Sequence, residues 1–177
     1  MKVKVGINGL GRIGRMVIRS IIENNYNIEI KQINNRTELE NISQLLKYDS
    51  IHGKFNTKIS FDNKNIIINN KKIPYSRETE ISKINWEKND VDIVLECTGK
   101  NNSKEKSFQH IKNGAKKVIV SAPCKNADKT IVYGVNQKTI NKKDLIISAA
   151  SCTTNCLSPI AMVLNNEFIV EKGFMTT

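Results

Sequence analysis

An apolar strand, a glycine-rich turn and an amphipathic helix open the chain, and this combination limits its fold more than any other feature. Val3 to Asn8 has the pattern of a strand, and Arg12 to Glu23 has apolar residues at helical spacing. Between them, Gly9-Leu10-Gly11-Arg12-Ile13-Gly14 fits G-x-G-x-x-G, and Ile28 to Asn34 supplies a second strand. Glycines here allow a tight turn and close approach of the backbone to a pyrophosphate. The sequence therefore predicts a dinucleotide-binding βαβ unit, the alternative being a turn that is glycine-rich only for its own packing.

Strand and helix patterns continue to alternate along the chain. The further elements predicted are helices at Ile42–Tyr48 and Ser103–Asn113, and strands at Lys58–Phe61, Asn65–Ile68, Lys72–Tyr75, Val91–Cys97, Lys117–Ser121, Thr130–Gly134 and Leu145–Ala149. Such alternation is typical of an α/β fold with a doubly wound, mostly parallel sheet of the Rossmann type. We expect one such domain over residues 1–150.

A cysteine lies where the last predicted strand gives way to a helix. Leu157, Ile160, Ala161 and Leu164 follow Cys152 at helical spacing, so Cys152 is expected at or near a helix N-terminus. Free N–H groups and the helix dipole there favour a negative sulfur and can hold an anion supplied by a substrate. This placement predicts a nucleophilic thiolate.

The composition narrows the possible partners. The net charge of +11 is spread along the chain rather than clustered, which favours a solvated surface over a nucleic-acid interface, although it should attract polyphosphate ligands. No apolar run approaches a membrane span, and the first residues enter a strand without a signal-peptide pattern. Four cysteines without a framework spacing fit a reducing compartment, so we expect a cytoplasmic protein without a metal site.

Five segments carry a resemblance to a known family. They are Lys4 to Arg15, Leu45 to Gly53, Gly114 to Ile119, Gly134 to Asn136, and above all Ala150-Ser151-Cys152-Thr153-Thr154-Asn155-Cys156. In this order they resemble the phosphorylating glyceraldehyde-3-phosphate dehydrogenases, whose A-S-C-T-T-N-C motif the last segment matches at every position. The resemblance implies oxidation of an aldehyde through a Cys152 thioester, with hydride transfer to NAD or NADP and cleavage of the thioester by inorganic phosphate.

The resemblance also assigns roles to individual residues. It makes Cys152 catalytic, with Ser151 and Thr153 binding phosphate or substrate, whereas Cys156 is expected to be a buried packing residue. The residues implied in cofactor binding are Asn8, Gly9, Gly11, Arg12, Ile13, Gly14, Asn35, Arg36, Arg77, Thr98, Gly99 and Ser121.

The chain departs from the family pattern at the end of the second strand. Many relatives have an aspartate after the asparagine there, which holds the ribose 2′-hydroxyl of NAD, whereas this chain has Asn35 followed by Arg36. Loss of the carboxylate removes a clash with a 2′-phosphate, and a guanidinium can grip phosphate with two donors. NADP or dual use is therefore slightly favoured, the alternative being that Asn35 binds the ribose of NAD while Arg36 points into water. Arg77 as an adenine contact rests on a poorly matching segment.

The resemblance further implies that 177 residues are about half of such an enzyme. On that expectation, residues 151–177 are the cysteine helix and the first strand of an incomplete catalytic domain, and the catalytic histidine lies beyond Thr177. The chain alone should then bind cofactor with little or no turnover. Relatives are homotetramers, although this need not hold for half a subunit. Two other functions stay open: oxidation of erythrose 4-phosphate, and an inert dinucleotide-binding module with an interaction role.

Overall fold

The structure is a computed structural model that describes all 177 residues. Its helices are α1 (Arg12–Glu23), α2 (Leu39–Lys47), α3 (Lys104–Lys112) and α4 (Cys152–Phe168). Its strands are β1 (Val3–Asn8), β2 (Ile28–Asn34), β3 (Tyr48–Asp49), β4 (Gly53–Lys54), β5 (Ile59–Phe61), β6 (Asn65–Ile68), β7 (Lys71–Ser76), β8 (Ile93–Glu96), β9 (Lys117–Val120), β10 (Lys129–Thr130) and β11 (Ile146–Ser148). None of the helices is both long and apolar enough to cross a membrane.

Nine of the strands form one sheet in the order β10-β11-β9-β8-β1-β2-β7-β6-β5. The strands from β10 to β7 pair in parallel, and only the β5–β6–β7 edge is antiparallel. The predicted α/β fold with a Rossmann-type, mostly parallel sheet is confirmed. The chain leaves β1 in one direction along the sheet and returns to β8 on its other side, so the strand order reverses between β1 and β8. Ligands bind at this switch point in open α/β sheets.

Two hydrophobic clusters cover the two faces of the sheet. Ile7 in β1 is fully buried in the first cluster, which packs under α1 and α2. The neighbouring Gly6 points the other way, where an added Cβ would lie 2.6 Å from the Trp86 ring in the second cluster. Side chains of a strand alternate between faces, so a sheet with helices on both sides buries both sets.

The bounds of β1, α1 and β2 agree with the sequence prediction, whereas α2 begins at Leu39 rather than Ile42. The strand predicted over Thr130–Gly134 is wrong beyond Thr130. The Asn136 side chain accepts from Val132 N at 2.8 Å and donates to Thr130 O at 3.0 Å. These bonds fold the backbone into a turn, because they occupy groups that a longer strand would pair with a neighbour.

The first catalytic-domain strand expected within residues 151–177 is not formed in this chain. Helix α4 continues to Phe168, and Ile169 to Thr177 have no regular structure because no strand of the sheet lies beside them. No residue of α4 is buried, and the Ile160 side chain is 54% exposed. Cys156 is exposed for the same reason, which corrects its predicted packing role.

Candidate functional site

A cleft of about 280 Å³ opens at the carboxyl ends of β1, β2 and β8. Residues of the glycine turn, of the end of β2 and of the segment after β8 line it. They are Asn8, Gly9, Gly11, Asn34, Asn35, Arg36, Glu78, Thr79, Ile81, Ile84, Cys97, Thr98, Lys100 and Asn101. The structure thus brings together six of the predicted cofactor residues at the switch point of the sheet.

The glycine turn has the shape that close approach to a phosphate requires. Gly9 has a φ of +94°, and an added Cβ would lie 2.8 Å from the Thr98 side chain. At Gly14, inside α1, an added Cβ would lie 2.0 Å from the carbonyl oxygen of Gly9, so the helix packs directly on the turn. An added Cβ at Gly11 would meet nothing within 4 Å, which leaves space beside the first turn of α1. An anion placed there would face the N-terminus of α1, so the turn fits a pyrophosphate.

Asn35 is held by the protein with a defined amide orientation. Its Oδ1 accepts a hydrogen bond from Leu10 N at 3.0 Å, and its Nδ2 donates to the Tyr75 hydroxyl at 3.1 Å. Tyr75 in turn donates to Thr37 O at 2.6 Å. Asn35 therefore ties the end of β2 to the glycine turn, and Arg36 beside it forms no ion pair with any residue of the chain.

Other predicted cofactor residues lie outside the cleft lining. Arg12 points to the loop after β3, where its guanidinium lies 2.6 Å from Asp49 Oδ2. Backbone N–H groups of His52 and Ile51, together with Arg12, hold the pKa of the Asp49 carboxyl well below its usual range. Ile13 is 49% exposed on α1. Both residues flank the glycine turn rather than the cleft.

The predicted residues Arg77, Gly99 and Ser121 lie at the margins of the cleft. Arg77 donates from Nε to Arg36 O at 3.1 Å and pairs with Glu38 at 2.5 Å, so it braces the segment after β2. Gly99 has a φ of +71° in the turn after β8, and Ser121 follows β9 with its N–H bonded to Glu96 O at 3.0 Å.

A buried carboxylate beneath the cleft is a feature that the sequence analysis missed. Glu96 is 1% exposed at the end of β8. Its Oε1 accepts from Thr98 N at 2.8 Å, and its Oε2 accepts from Asn101 Nδ2 at 3.0 Å and from His110 Nε2 at 2.9 Å. Burial acts to raise the pKa of Glu96, but hydrogen bonds from His110, Thr98 and Asn101 outweigh burial and lower it. An acid at the end of an otherwise apolar strand was the available signal in the sequence.

The Cys97 thiol, next in the chain, lines the cleft but is poorly suited to act as a nucleophile. Burial raises the pKa of Cys97 to about 11. The thiolate fraction near neutral pH is therefore very small, as for a packing residue rather than a nucleophile.

Cys152 is the first residue of α4 and is exposed, as the sequence analysis predicted for its position. Ser151 caps the helix, its Oγ accepting from Thr154 N at 3.0 Å. Asn155 Nδ2 donates to both Ala149 O and Ser151 O at 2.8 Å, and Ala150 has a φ of +61°. Left-handed backbone at a residue with a Cβ costs energy and is found mainly at functional sites. These contacts turn the chain sharply from β11 into α4 and leave the sulfur at the carboxyl edge of the sheet.

Comparison with known proteins agrees with this architecture. The family model described as "Glyceraldehyde 3-phosphate dehydrogenase, NAD binding domain" matches residues 3–104, and the one described as "Glyceraldehyde 3-phosphate dehydrogenase, C-terminal domain" matches residues 151–177.

Similar proteins align along the whole chain. Glyceraldehyde-3-phosphate dehydrogenase of Cereibacter sphaeroides is 46% identical over 178 positions, which cover 100% of this chain and 53% of the relative. Glyceraldehyde-3-phosphate dehydrogenase 2 of Bacillus subtilis is 47% identical, with 100% and 52% covered. Glyceraldehyde-3-phosphate dehydrogenase of Lactobacillus delbrueckii subsp. bulgaricus is 49% identical, with 100% of this chain and 54% of the relative covered. The chain thus spans about half the length of these relatives, and it belongs to the glyceraldehyde-3-phosphate dehydrogenase family as the counterpart of their N-terminal part.

Proposed function

We propose that this chain supplies the dinucleotide site and the nucleophile of a phosphorylating glyceraldehyde-3-phosphate dehydrogenase. One observation carries the proposal: the exposed Cys152 begins α4 at the same carboxyl edge of the sheet as the cleft. A thiol and a bound dinucleotide at one edge can act on one substrate. A nicotinamide dinucleotide, when bound, supplies the hydride acceptor.

The chemistry of the chain's own residues follows from this placement. The Cys152 thiolate attacks the aldehyde carbon and forms a C–S bond, and the former carbonyl oxygen takes up a proton from solvent to give a thiohemiacetal. Loss of a hydride from that carbon and of the hydroxyl proton leaves a thioester. An oxygen of inorganic phosphate then attacks the thioester carbonyl, the C–S bond breaks, and the thiolate is released with an acyl phosphate as product.

Ser151 and Thr153 are suited to hold the incoming phosphate. The first N–H groups of a helix have no partner within the helix, and the dipole there favours an anion. Ser151 Oγ is already engaged with Thr154, so it shapes the first turn, whereas the Thr153 side chain carries no such bond. We propose that Thr153 is the more direct phosphate ligand of the two.

We further propose that the 177-residue chain alone does not turn over. His110 is fully buried, with both ring nitrogens bonded to Trp86 and Glu96, so it is not free to act as a base for Cys152. His52 lies in the loop between β3 and β4, where its backbone N–H donates to Asp49 Oδ1 at 2.9 Å. A thiol without a neighbouring base is a weak nucleophile in steady turnover.

Two assays test this function. With glyceraldehyde 3-phosphate, phosphate and NAD, the chain should give no steady rise in absorbance at about 340 nm, and sustained turnover by the pure chain would overturn the claim of inactivity. Incubation with the corresponding acyl phosphate should transfer one acyl group to Cys152, seen by intact mass spectrometry. Cys152→Ser should abolish this adduct and Cys156→Ser should keep it. An adduct that survives Cys152→Ser would refute the assigned nucleophile.

The preference between the two cofactors is a finer proposal, which rests on Asn35 and Arg36. The Nδ2 of Asn35 has a second hydrogen beyond the one given to Tyr75, and Arg36 lines the cleft without an ion-pair partner. Both can donate to a 2′-phosphate, and a charged hydrogen bond contributes about 1.5–3 kcal/mol. We therefore propose that the chain accepts NADP, alone or beside NAD.

Calorimetric titrations with NAD and NADP test this preference. Arg36→Ala should weaken NADP binding by about 10- to 100-fold, since about 1.4 kcal/mol is a factor of ten. NAD affinity should change little. Lys72→Ala is the matched control, because Lys72 is exposed at the start of β7 and its ion pair with Asp62 lies away from the cleft. Equal losses for both cofactors in Arg36→Ala would contradict the assignment.

Assembly and location remain proposals. We propose a cytoplasmic protein, since the four cysteines are all unpaired and two of them are exposed. We also propose that its longer form is a homo-oligomer, as implied by the resemblance to tetrameric relatives. Light scattering coupled to size-exclusion chromatography tests the second proposal, and a monomer at all concentrations would contradict it.

A further inference from the structure

Four neighbouring strands end in polar residues that are hydrogen-bonded side chain to side chain. The last residues of these strands are Glu96 in β8, Asn8 in β1, Asn34 in β2 and Ser76 in β7. Each is the register partner of the next in this order. Ser76 Oγ donates to Asn34 Oδ1 at 2.8 Å, Asn34 Nδ2 donates to Asn8 Oδ1 at 2.8 Å, and Asn8 Nδ2 donates to Glu96 Oε2 at 2.7 Å. We call these four residues the strand-end ladder.

The direction of the ladder is fixed at both ends, by the charge of Glu96 at one end and by the backbone of Glu78 at the other. An ionised carboxylate only accepts hydrogen bonds, so Asn8 must turn its NH₂ group toward Glu96 and its oxygen toward Asn34. Asn34 must then present its NH₂ group to Asn8 and its oxygen to β7. At the far end that oxygen also accepts from Glu78 N at 2.9 Å, which can only donate. With these orientations, the side-chain amides of Asn8 and Asn34 each form hydrogen bonds with all of their neighbours.

The other side of Glu96 is fixed as well. The indole Nε1 of Trp86 donates to His110 Nδ1 at 3.0 Å, and an indole nitrogen cannot accept. The His110 proton therefore lies on Nε2, which donates to Glu96 at 2.9 Å. The Glu96 carboxylate is therefore a single negative charge surrounded by neutral hydrogen-bond donors in this part of the core. Hydrogen bonds to both of its oxygens hold the side chain in one orientation.

The ladder runs along the floor of the cleft. Asn8, Asn34 and Glu78 line the cleft, as do Thr98 and Asn101, which donate to Glu96. Asn8 and Asn34 are each 3% exposed, so their amides are held by the ladder rather than by water. The loops after β1, β7 and β8, which line the cleft, are thereby tied to one buried group.

We propose that Glu96 is a positioning residue for dinucleotide binding, which acts through the Asn8 and Asn34 amides to fix the spacing and hydrogen-bond polarity of these three loops. The proposal rests on the proposed dinucleotide site. Glu96 touches no ligand itself, and its effect reaches the cleft only through its partners.

Glu96→Gln tests the proposal, because it keeps the shape and removes the charge. In either orientation a glutamine turns its NH₂ group toward a donor, either Thr98 N or the Asn8, Asn101 and His110 groups. The Glu96 end of the ladder therefore loses hydrogen bonds as well as its charge. We expect NAD affinity in calorimetry to fall about tenfold, as for the loss of a charged hydrogen-bond partner. The side-chain amide NMR signals of Asn8 and Asn34 should both shift, although Asn34 does not touch residue 96.

Val94→Ala is the matched control. Val94 lies in β8 two residues before Glu96 and is fully buried in the second cluster, away from the ladder. The Val94→Ala substitution should lower the stability of the chain but leave NAD affinity within about twofold. The free-energy effects of groups that share no partners are independent of each other. A folded Glu96→Gln variant with unchanged NAD affinity, or with an unshifted Asn34 amide, would overturn the proposal.

A second variant covers the case in which Glu96→Gln does not fold. Asn34→Ala breaks the ladder beyond Asn8 and leaves Glu96 with all its donors. It should also weaken NAD binding about tenfold, while the fluorescence of Trp86, the single tryptophan of the chain, stays unchanged. Unchanged affinity would refute the ladder. If the unmodified chain does not bind NAD at all, the dinucleotide site itself is refuted, which is a distinct result.

Discussion

Replacing Gly14 by alanine separates helix propensity from packing, because the two effects have opposite signs. Gly14 lies inside α1, where alanine would stabilise the helix by about 1 kcal/mol on propensity alone. The structure places the added Cβ 2.0 Å from Gly9 O and 3.1 Å from Gly9 C. An ordinary contact begins near 3.4 Å, so the turn must move by about 1.4 Å. Overpacking of this kind costs about 3 kcal/mol or more.

We therefore expect Gly14→Ala to be less stable than the unmodified chain by about 2 kcal/mol, or about 4–8 °C in Tm for a chain of this size. Urea unfolding followed by circular dichroism measures the difference. Gly11→Ala is the control, since its Cβ meets nothing within 4 Å. It should leave stability nearly unchanged and weaken NAD binding. A Gly14→Ala chain as stable as the unmodified one would refute the close packing of α1 on the turn.

Three further outcomes follow from the structure. Ser151→Ala should speed amide exchange at Thr154, because loss of an N-cap costs about 1 kcal/mol, whereas Ser151→Asn should restore protection. Iodoacetamide at about pH 8 should alkylate the exposed Cys152 before the half-buried Cys97, whose pKa is raised to about 11; equal labelling in peptide mass spectrometry would contradict this order. Glu96→Gln should lower the free energy of unfolding by about 1–3 kcal/mol near neutral pH. Because the folded-state pKa of Glu96 is lowered, this stabilisation is present above the unfolded value of about 4.3 and is lost as the pH falls through the folded-state pKa. A difference between the two chains that does not shrink as the pH falls below the unfolded value would contradict it.

The first βαβ unit could be predicted from the sequence because its signals are local. Apolar periodicity set the bounds of β1, α1 and β2, and the glycines between them fixed the turn. The start of α2 could not be predicted in this way, since Glu38 provides no side-chain cap. Leu39 belongs to the helix because it packs on the first hydrophobic cluster, which is a tertiary contact.

The candidate site was predictable where a single motif carries it and not where distant residues combine. Cys152 at a helix start, and Asn35 with Arg36 after β2, follow from neighbours in the chain. The bond between Asn8 and Glu96 joins residues 88 positions apart. Its existence depends on β8 pairing beside β1, which no local pattern shows. The strand expected after α4 is not formed for the converse reason, since a strand needs a partner that this chain does not offer.

An NMR titration of the ¹⁵N-labelled chain with NAD tests the central claim most directly. Saturable shifts are expected at the cleft, at Gly9, Gly11, Asn35 and Thr98, and at the amide of Asn34 beneath it. Signals of the opposite edge of the sheet, such as Ile30 and Ile73, should stay in place. Shifts confined to that opposite edge, or no shifts at millimolar NAD, would contradict the assignment of the cleft as a dinucleotide site.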